Sequence, residues 1–451
     1  MARSNLSSIE FDAPNKSSRL RGDTLRITTM RGLRQAAYGM MAVILAIALT
    51  GAGWSAITIG LLISVSLAGD LFGTLVIGRW ADQWGRRRTL TVLALLMAAT
   101  GLIFGLAGLF DLTTWYPVLL VVAFFGTLGT SASETAPFLP IEQAMLGQVG
   151  KGEDRTRRFA TYNFVAVFAG ALGALAAGLP ELALRYGVPM PVSLEFSFAL
   201  YAVVALAVAL LASRLSSAVE APTVAQSVPS PVSAMTVSRD DPPRMPRRRL
   251  FSSLPHSRRP VLQLSGLFSL DAFAGGLVAQ TLVALYFHLR FGVSLGLLAI
   301  LFFGANLLSA LSFLAAPALA QRFGLLNTMV FTHLPSNLLL ILVPLMPTFP
   351  LAAALLLLRQ TLSQLDVPTR QAYTMALVTP AERTAAASAT SVARSAGAAM
   401  SPALAGILLQ GPLLVFGAPF LVAGGLKAIY DLSLWRLFRR VRLPEDREAK
   451  S

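Results

Sequence analysis

The sequence predicts an all-α membrane protein with twelve transmembrane helices in two pseudo-symmetric six-helix bundles. Of 451 residues, 55% are hydrophobic and 13% are charged, about half the charged fraction of a soluble domain. Apolar stretches close to 20 residues, long enough to cross a bilayer, recur along the whole chain. A polar segment divides these stretches into six and six.

The apolar stretches give the expected helices in chain order. A polar leader (1–32) precedes the first one and has no small-residue cleavage pattern, so we interpret that stretch as a retained helix and not a signal peptide. The N-terminal bundle is expected within 33–214, the C-terminal bundle within 261–437, and a tail at 438–451. The expected spans are 33–53, 55–78, 89–110, 115–146, 159–179, 194–213, 261–287, 293–319, 325–346, 349–376, 385–410 and 413–437.

The basic residues alternate between loops, which predicts the orientation of the chain. Formal net charge is +15, and the positive-inside rule then places both termini in the cytoplasm of a multi-pass plasma-membrane protein, in a bacterium the inner membrane. This placement argues against a nucleic-acid partner. The basic loops carry Arg19, Arg21, Arg26, Arg31, Arg34, Arg86, Arg87, Arg88, Lys151, Arg155, Arg157, Arg158, Arg436, Arg439, Arg440 and Arg442, whereas the intervening loops offer Arg185 and Arg290.

Residues 215–260 form the segment between the two bundles. They are rich in proline and contain the run Arg247 to Arg249, which is typical of a disordered cytoplasmic linker. Two interpretations of its arginines stay open: contact with anionic lipid headgroups, or a role in topology alone.

Enzymatic and metal chemistry find little support. The chain has no cysteine and only His256, His288 and His333, far apart in sequence. There is no GxxxxGK[ST] phosphate loop and no HExxH motif. We therefore expect no catalytic residue, no metal and no cofactor.

The two halves repeat each other. "GRWADQWGRRRT" after the second span matches "PALAQRFGLLNT" after the eighth, so that Gly85 corresponds to Gly324. "PIEQAM" in the fourth span likewise matches "PTRQAY" in the tenth. Parallel repeats are typical of transporters whose substrate site lies at the repeat interface near the membrane midplane.

The loop after span two resembles the signature loop of the major facilitator superfamily. It has Gly78, Asp82 four residues on, and Gly85 followed by Arg86. It departs from the family pattern at Gln83, where a basic residue is usual. The resemblance covers nearly the whole chain and implies the fold of that superfamily, with Gly78, Asp82, Gly85 and Arg86 acting in gating.

Asp82 has an expected partner in the second half. The segment Thr379 to Glu382 has the pattern of a capping box before span eleven, and the free N–H groups of a helix terminus attract a carboxylate. The resemblance implies that Asp82 meets span eleven in the outward-facing state. The alternative is that the loop serves only turn formation and topology.

Charged residues inside the spans suggest the functional site, because each costs roughly 3 kcal/mol at the centre of a membrane helix. In the resembling family, spans one, four, seven and ten line the cavity. Glu134 and Asp271 lie deepest without an obvious local partner, so we expect them to carry protons; the alternative is an ion pair of Asp271 with Arg359 or Arg394. Other charges in the spans are Asp70, Arg394 and Lys427.

Span ten carries a polar stripe of Arg359, Ser363, Asp366 and Arg370, spaced to share one helix face. We expect the first three in the substrate cavity. Arg370 is equivalent to Glu142 in the repeat, and we expect the two to meet as a cytoplasmic gate. The alternative is that Arg370 pairs with Asp366, four residues before it. Pro137, Pro140 and Pro368 should break spans four and ten.

These features predict a monomeric secondary transporter that works by alternating access between membrane lipids. The leading hypothesis is proton-coupled export of a small molecule, drug-like or metabolite-like, by antiport. The alternative is proton-coupled uptake of a small solute by symport. A third hypothesis is a non-transporting receptor or scaffold.

Overall fold

The computed structural model describes residues 13–107, 112–129, 137–148, 153–220, 257–379 and 382–441. Within these ranges the regular structure is helical. The α-helices are α1 Ala13–Gly51, α2 Ala56–Trp84, α3 Arg86–Ala107, α4 Leu112–Phe125, α5 Phe138–Gln148, α6 Glu153–Ala176, α7 Leu179–Arg185, α8 Met190–Ser213, α9 Arg258–Leu277, α10 Gln280–Phe291, α11 Leu295–Phe323, α12 Leu325–Leu342, α13 Phe349–Ser363, α14 Asp366–Leu377, α15 Arg383–Leu408, α16 Gly411–Val415 and α17 Ala418–Phe438.

These helices group into the twelve predicted spans. In the described part of the chain, eight helical segments are long and apolar enough to cross a membrane. The remaining spans are those interrupted by a helix break or by polar residues, namely α4 with α5, α13 with α14, α15, and α17. A multi-pass, all-helical membrane protein is therefore confirmed.

In the described part of the chain, three spans are broken well inside their ends. Span four is interrupted between α4 and α5, and span ten between Ser363 and Asp366, as the prolines predicted. Span seven is also broken, at Val278 and Ala279 between α9 and α10. The sequence did not predict that break, although Gly275 and Gly276 precede it.

The internal repeat extends to the backbone. Ser55 caps α2 by accepting a hydrogen bond from the amide of Thr58 at 3.2 Å, and Ser294 caps α11 in the same way from Leu297 at 3.4 Å. Gly85 and Gly324 both end these helices with positive φ, 97° and 82°. Only glycine adopts that conformation readily, which explains their equivalent positions.

The ends of the N-terminal half are more ordered than expected. Helix α1 already begins at Ala13, within the predicted leader. Residues 217–219, predicted as part of a disordered linker, form a 3₁₀ turn. The buried carboxylate of Asp23 accepts hydrogen bonds from the amide and hydroxyl of Ser216 and so holds this turn against α1. Residues 221–256 lie outside the described part.

The two halves pack tightly at one end. The end of the bundle where residues 215–220 meet the α2–α3 turn is called the linker side, and the opposite end the far side. At the far side, a Cβ on Gly60 would overlap the carbonyl oxygen of Pro402, and one on Gly406 would overlap that of Ala56. Close backbone approach of this kind needs small residues.

Hydrogen bonds reinforce the far-side contact. The Ser64 hydroxyl accepts from the Ala403 amide at 2.9 Å, and the Glu181 carboxylate accepts from the Gly296 amide at 2.5 Å. On the linker side the Asp82 side chain is 62% exposed. The halves are therefore closed together at the far side, whereas Asp82 at the linker side lies open to solvent.

Gly406→Val tests this closure. The new side chain collides with the α2 backbone, so we expect the population closed at the far side to fall. Because the natural chain has no cysteine, spin labels on Arg88→Cys and Arg383→Cys report the linker-side separation. We expect that distance to shorten as the halves rock.

The matched control is Gly425→Val, since a Cβ at Gly425 meets no atom within 4 Å. If both valine variants give the unsubstituted distance distribution, the glycine contacts do not set the conformation.

Candidate functional site

A buried ion pair joins the first and fourth spans of the N-terminal half. Arg34 on α1 donates two hydrogen bonds to Glu142 on α5, at 2.5 and 2.9 Å. Tyr162 on α6 donates a third to the same carboxylate at 2.5 Å. The guanidinium also lies 4.3 Å from the ring centroid of Phe138. Neither charged group is exposed, so burial strengthens this bidentate pair.

The C-terminal half contains a larger charged cluster centred on Asp271 of α9. Its carboxylate accepts from Lys427 at 2.5 Å, from Arg394 at 3.0 Å and from Arg370 at 3.3 Å. Three helices, α14, α15 and α17, therefore present cations to one carboxylate. The expectation that Asp271 lacks a local partner is wrong, and the alternative pairing with Arg394 is confirmed.

A second aspartate extends this cluster through a histidine. His333 on α12 lies with Nδ1 2.9 Å from Asp431 Oδ1 and with Nε2 3.9 Å from Asp271 Oδ1. Asn337 donates to the other oxygen of Asp431 at 2.8 Å. The imidazole therefore lies between two carboxylates inside the membrane.

Asp366 and Arg370 pair on α14 at 2.8 Å, as the alternative expected for Arg370. The structure does not bring Arg370 and Glu142 together: each is bound within its own half. The physical reason is that each already has a closer opposite charge. Because the linker side is open here, the predicted gate between them in the closed state stays a prediction.

The polar stripe of span ten is divided by the helix break. Arg359 and Ser363 lie on α13, whereas Asp366 and Arg370 lie on α14. The Ser363 hydroxyl donates to Gln360 at 2.6 Å, and Arg359 contacts the same amide at 3.4 Å. The placement of all three predicted cavity residues on one continuous helix face is therefore wrong, because the periodicity restarts after Leu365.

Glu134 lies outside the described residues, so its expected role stays a prediction. Asp70 on α2 is buried and has no ion pair with another residue in the described ranges. The sequence did not predict a role for Tyr162, Asn337 or Asp431, and it showed His333 only as an isolated histidine. His333 and Asp431 are far apart in the chain but carry a detectable signal, since both are ionisable residues inside apolar segments.

The signature loop is tied to the start of the linker. Glu220 accepts from the backbone amides of Arg86 at 2.6 Å and Arg87 at 3.1 Å, which caps the N-terminus of α3. Asp82 accepts from the Arg86 side chain at 2.7 Å. Glu220 was not singled out in the sequence, although a carboxylate is well suited to a helix N-terminus. For Gly78 the structure gives only its place in α2.

The predicted capping box takes another form. Helix α15 begins only at Arg383, with Glu382 before it. The Thr379 hydroxyl contacts the Glu382 carboxylate at 3.2 Å, and the Glu382 amide donates to the Thr379 carbonyl at 2.9 Å. These contacts make a turn before the helix in place of the reciprocal cap.

Two repeated six-helix bundles that are closed together at one end and carry buried charges within each half define a secondary transporter of the alternating-access kind. Comparison with known proteins agrees. The family model described as Major Facilitator Superfamily matches residues 28–363, and the chain belongs to that superfamily. Its members are transporters of small molecules and not enzymes.

Similar proteins share this architecture at low identity. An uncharacterized membrane protein of Saccharomyces cerevisiae, YJR124C, is 26% identical over 418 residues, covering 90% of this chain and 92% of the relative. The nucleoside transporter NupG has a TM-score of 0.68 at 14% identity, covering 92% and 99% of the two chains. A D-xylose–proton symporter also has a TM-score of 0.68 at 14% identity, covering 92% and 98%.

Glu142→Gln should destabilise the protein strongly, because it leaves the Arg34 guanidinium buried without a counter-charge. Breaking a buried pair from one side costs about 3–5 kcal/mol. Thermal unfolding in detergent should show a clear drop in Tm. The double variant Arg34→Met with Glu142→Gln should recover part of the loss.

Asp82→Asn is the control, since the Asp82 side chain is 62% exposed and solvent-exposed charges contribute less than about 1 kcal/mol to ion pairs. Equal Tm values for Glu142→Gln and Asp82→Asn would contradict this account of the ion pair.

Proposed function

We propose that this transporter couples the movement of a small molecule to protons through the His333–Asp431 pair and Asp271. The observation that carries the proposal is the position of the imidazole between two buried carboxylates. Imidazole is the side chain that ordinarily gains or loses a proton between pH 5 and 8. Asp271 stays part of the coupling site, now as a partner of His333 and not as a lone carboxylic acid.

The groups around His333 support this role. Asp271 faces it from α9, Asn337 follows it on α12, and Asp431 and the Tyr430 ring face it from α17, the ring centroids lying 6.0 Å apart. Lys427 and Arg370 reach the same Asp271 carboxylate. A proton on His333 adds a positive charge beside Asp271. The protonated imidazole then competes with Lys427 and Arg394 for that carboxylate. Protonation of His333 therefore weakens the ion pairs of both residues with Asp271.

Weakening the ion pairs of Asp271 connects proton binding to alternating access. Asp271 connects α9 with α14, α15 and α17, and α15 is also the helix that closes against α2 at the far side. Protonation that rearranges the Asp271 contacts therefore acts on a helix that moves between states. A ligand or proton shifts such an equilibrium only through a difference in affinity for the two states.

We favour proton antiport that exports the substrate across the plasma membrane, with the linker side in the cytoplasm as the distribution of arginines predicts. The second candidate is uptake by proton symport, and the similarity to a D-xylose–proton symporter favours it. Uptake of substrate by energised inverted vesicles supports export, whereas uptake by intact cells supports import.

His333→Asn should abolish accumulation driven by a pH gradient while counterflow exchange is retained, because asparagine keeps polar contacts but cannot carry the proton. The substrate is first found by a thermal-shift screen, and both assays then use the purified protein in liposomes. A loss of at least tenfold in gradient-driven accumulation is expected.

His288→Asn is the matched control, since His288 contacts the Val293 carbonyl at 2.9 Å away from the charged cluster. Undiminished pH-driven accumulation in His333→Asn would remove the histidine from the coupling mechanism.

We also propose that Gly78, Asp82, Gly85 and Arg86 act as a latch, with Asp82 exchanging Arg86 for the start of α15 when the linker side closes. Asp82→Asn should then favour the open linker side and lengthen the mean distance between labels at Arg88→Cys and Arg383→Cys. Gln83→Asn, next to it and also exposed, is the control. A distance distribution unchanged by Asp82→Asn means that there is no latch.

A further inference from the structure

Arg359 differs from the other cations of the charged cluster around Asp271. Arg370 has Asp366, and Arg394 and Lys427 share Asp271. Arg359 has no ion pair among the described residues, and its Nε is buried without a hydrogen-bond partner there. Its polar contact is the long one to Gln360.

The cluster as a whole contains more cations than carboxylates. Its cations are Arg359, Arg370, Arg394 and Lys427, and its carboxylates are Asp271, Asp366 and Asp431. Four cations thus face three carboxylates while His333 is neutral. Asp431 is engaged by His333 and Asn337, so the side of the cluster nearest Arg359 is more positive still.

Such an excess is expensive inside a membrane. An uncompensated arginine at the centre of a span is costly on insertion scales, and charges there usually serve function. A ligand with a negative charge supplies the missing partner. The planar guanidinium fork matches the oxygens of a carboxylate or phosphate in a two-point contact.

The surroundings of Arg359 suit a ligand. Gln360 and Ser363 place an amide and a hydroxyl on the same segment, just before the break in span ten. The Arg394 side chain is 32% exposed, whereas those of Asp271, Arg370 and Lys427 are at most 9% exposed. Arg359 is likewise only half-buried, so Arg359 and Arg394 are the two cations of the cluster that solvent reaches.

From this geometry we infer that the substrate is a small organic anion whose carboxylate or phosphate binds between Arg359 and Arg394. This inference rests on the proposed transport function and names its substrate class. A bound anion brings the cluster to charge balance with His333 neutral. When His333 is protonated, a further negative charge on the ligand is favoured.

The first test needs no ligand. Removing a half-buried cation that has no ion pair among the described residues should stabilise the empty protein, so Arg359→Gln should raise Tm by about 2 °C or more. Arg370→Gln is the matched control within the same span and should lower Tm, because it leaves Asp366 unpaired. A lower Tm in Arg359→Gln would show that this arginine is structural and would overturn the inference.

The second test uses matched ligands on the purified full-length protein. The acids are succinate, citrate, benzoate, phenyl phosphate and glucose 6-phosphate, each compared with an uncharged amide, ester, phenol or sugar counterpart. At least one acid should raise Tm when its counterpart does not. Its apparent Kd should increase at least tenfold in Arg359→Gln and in Arg394→Gln, and stay unchanged in Arg322→Gln, on the linker-side end of α11.

Two results overturn the anion site: none of the acids shifts Tm, or the effective acid binds both variants as tightly as the unsubstituted protein. Failure here is separable from failure of proton coupling. A neutral solute driven by the pH gradient leaves the coupling intact and removes the anion site. An acid that binds through Arg359 but is not accumulated in response to the pH gradient supports the anion site and removes proton coupling.

Discussion

The buried ion pair between the first and fourth spans of each half is the interaction on which the rest of this structure depends. Arg34 on α1 binds Glu142 on α5, and Asp271 on α9 binds Arg370 on α14. The spans correspond in the repeat, but the signs are reversed. Each half thus neutralises its own deepest charges, as the low-dielectric membrane requires.

The reversed signs leave the halves unequal. The N-terminal pair is compact, with Tyr162 completing the shell of Glu142. In the C-terminal half the carboxylate is on the first span, and cations from three other helices converge on it. The histidine, the exposed Arg394 and the unpaired Arg359 all lie in that half. Proton exchange and substrate recognition are therefore proposed for one bundle, while the other serves as a rigid partner for rocking.

Much of this fold could be predicted from the sequence, because apolar length and the alternation of basic loops follow directly from bilayer thickness and topology. The repeat was visible in Gly85 and Gly324 because positive φ restricts the residue type. The break at Val278 was not visible, since adjacent glycines occur inside intact membrane helices as well.

Partner assignment within the site was the harder part. The sequence showed that Asp271, Arg370 and Arg394 are buried charges, but spacing identifies partners only within one helix, as for Asp366 and Arg370. Contacts between helices depend on rotation and kinks. Helix rotation and kinks bring His333 beside Asp431, 98 positions away in the chain. They also keep Glu142 apart from Arg370.

The backbone contact of α2 with α15 at the far side has an electrical consequence. Glycine against carbonyl oxygen leaves no room for water, so the seal insulates, whereas the partly exposed Arg394 shows that solvent reaches the charged cluster from the other side. The transmembrane voltage then falls mainly across that thin seal, at about 2.3 kcal/mol per elementary charge for 100 mV. Binding from the open side is therefore nearly independent of voltage. Most of the electrogenic charge movement then occurs in the reorientation step, in which the far side opens and the linker side closes.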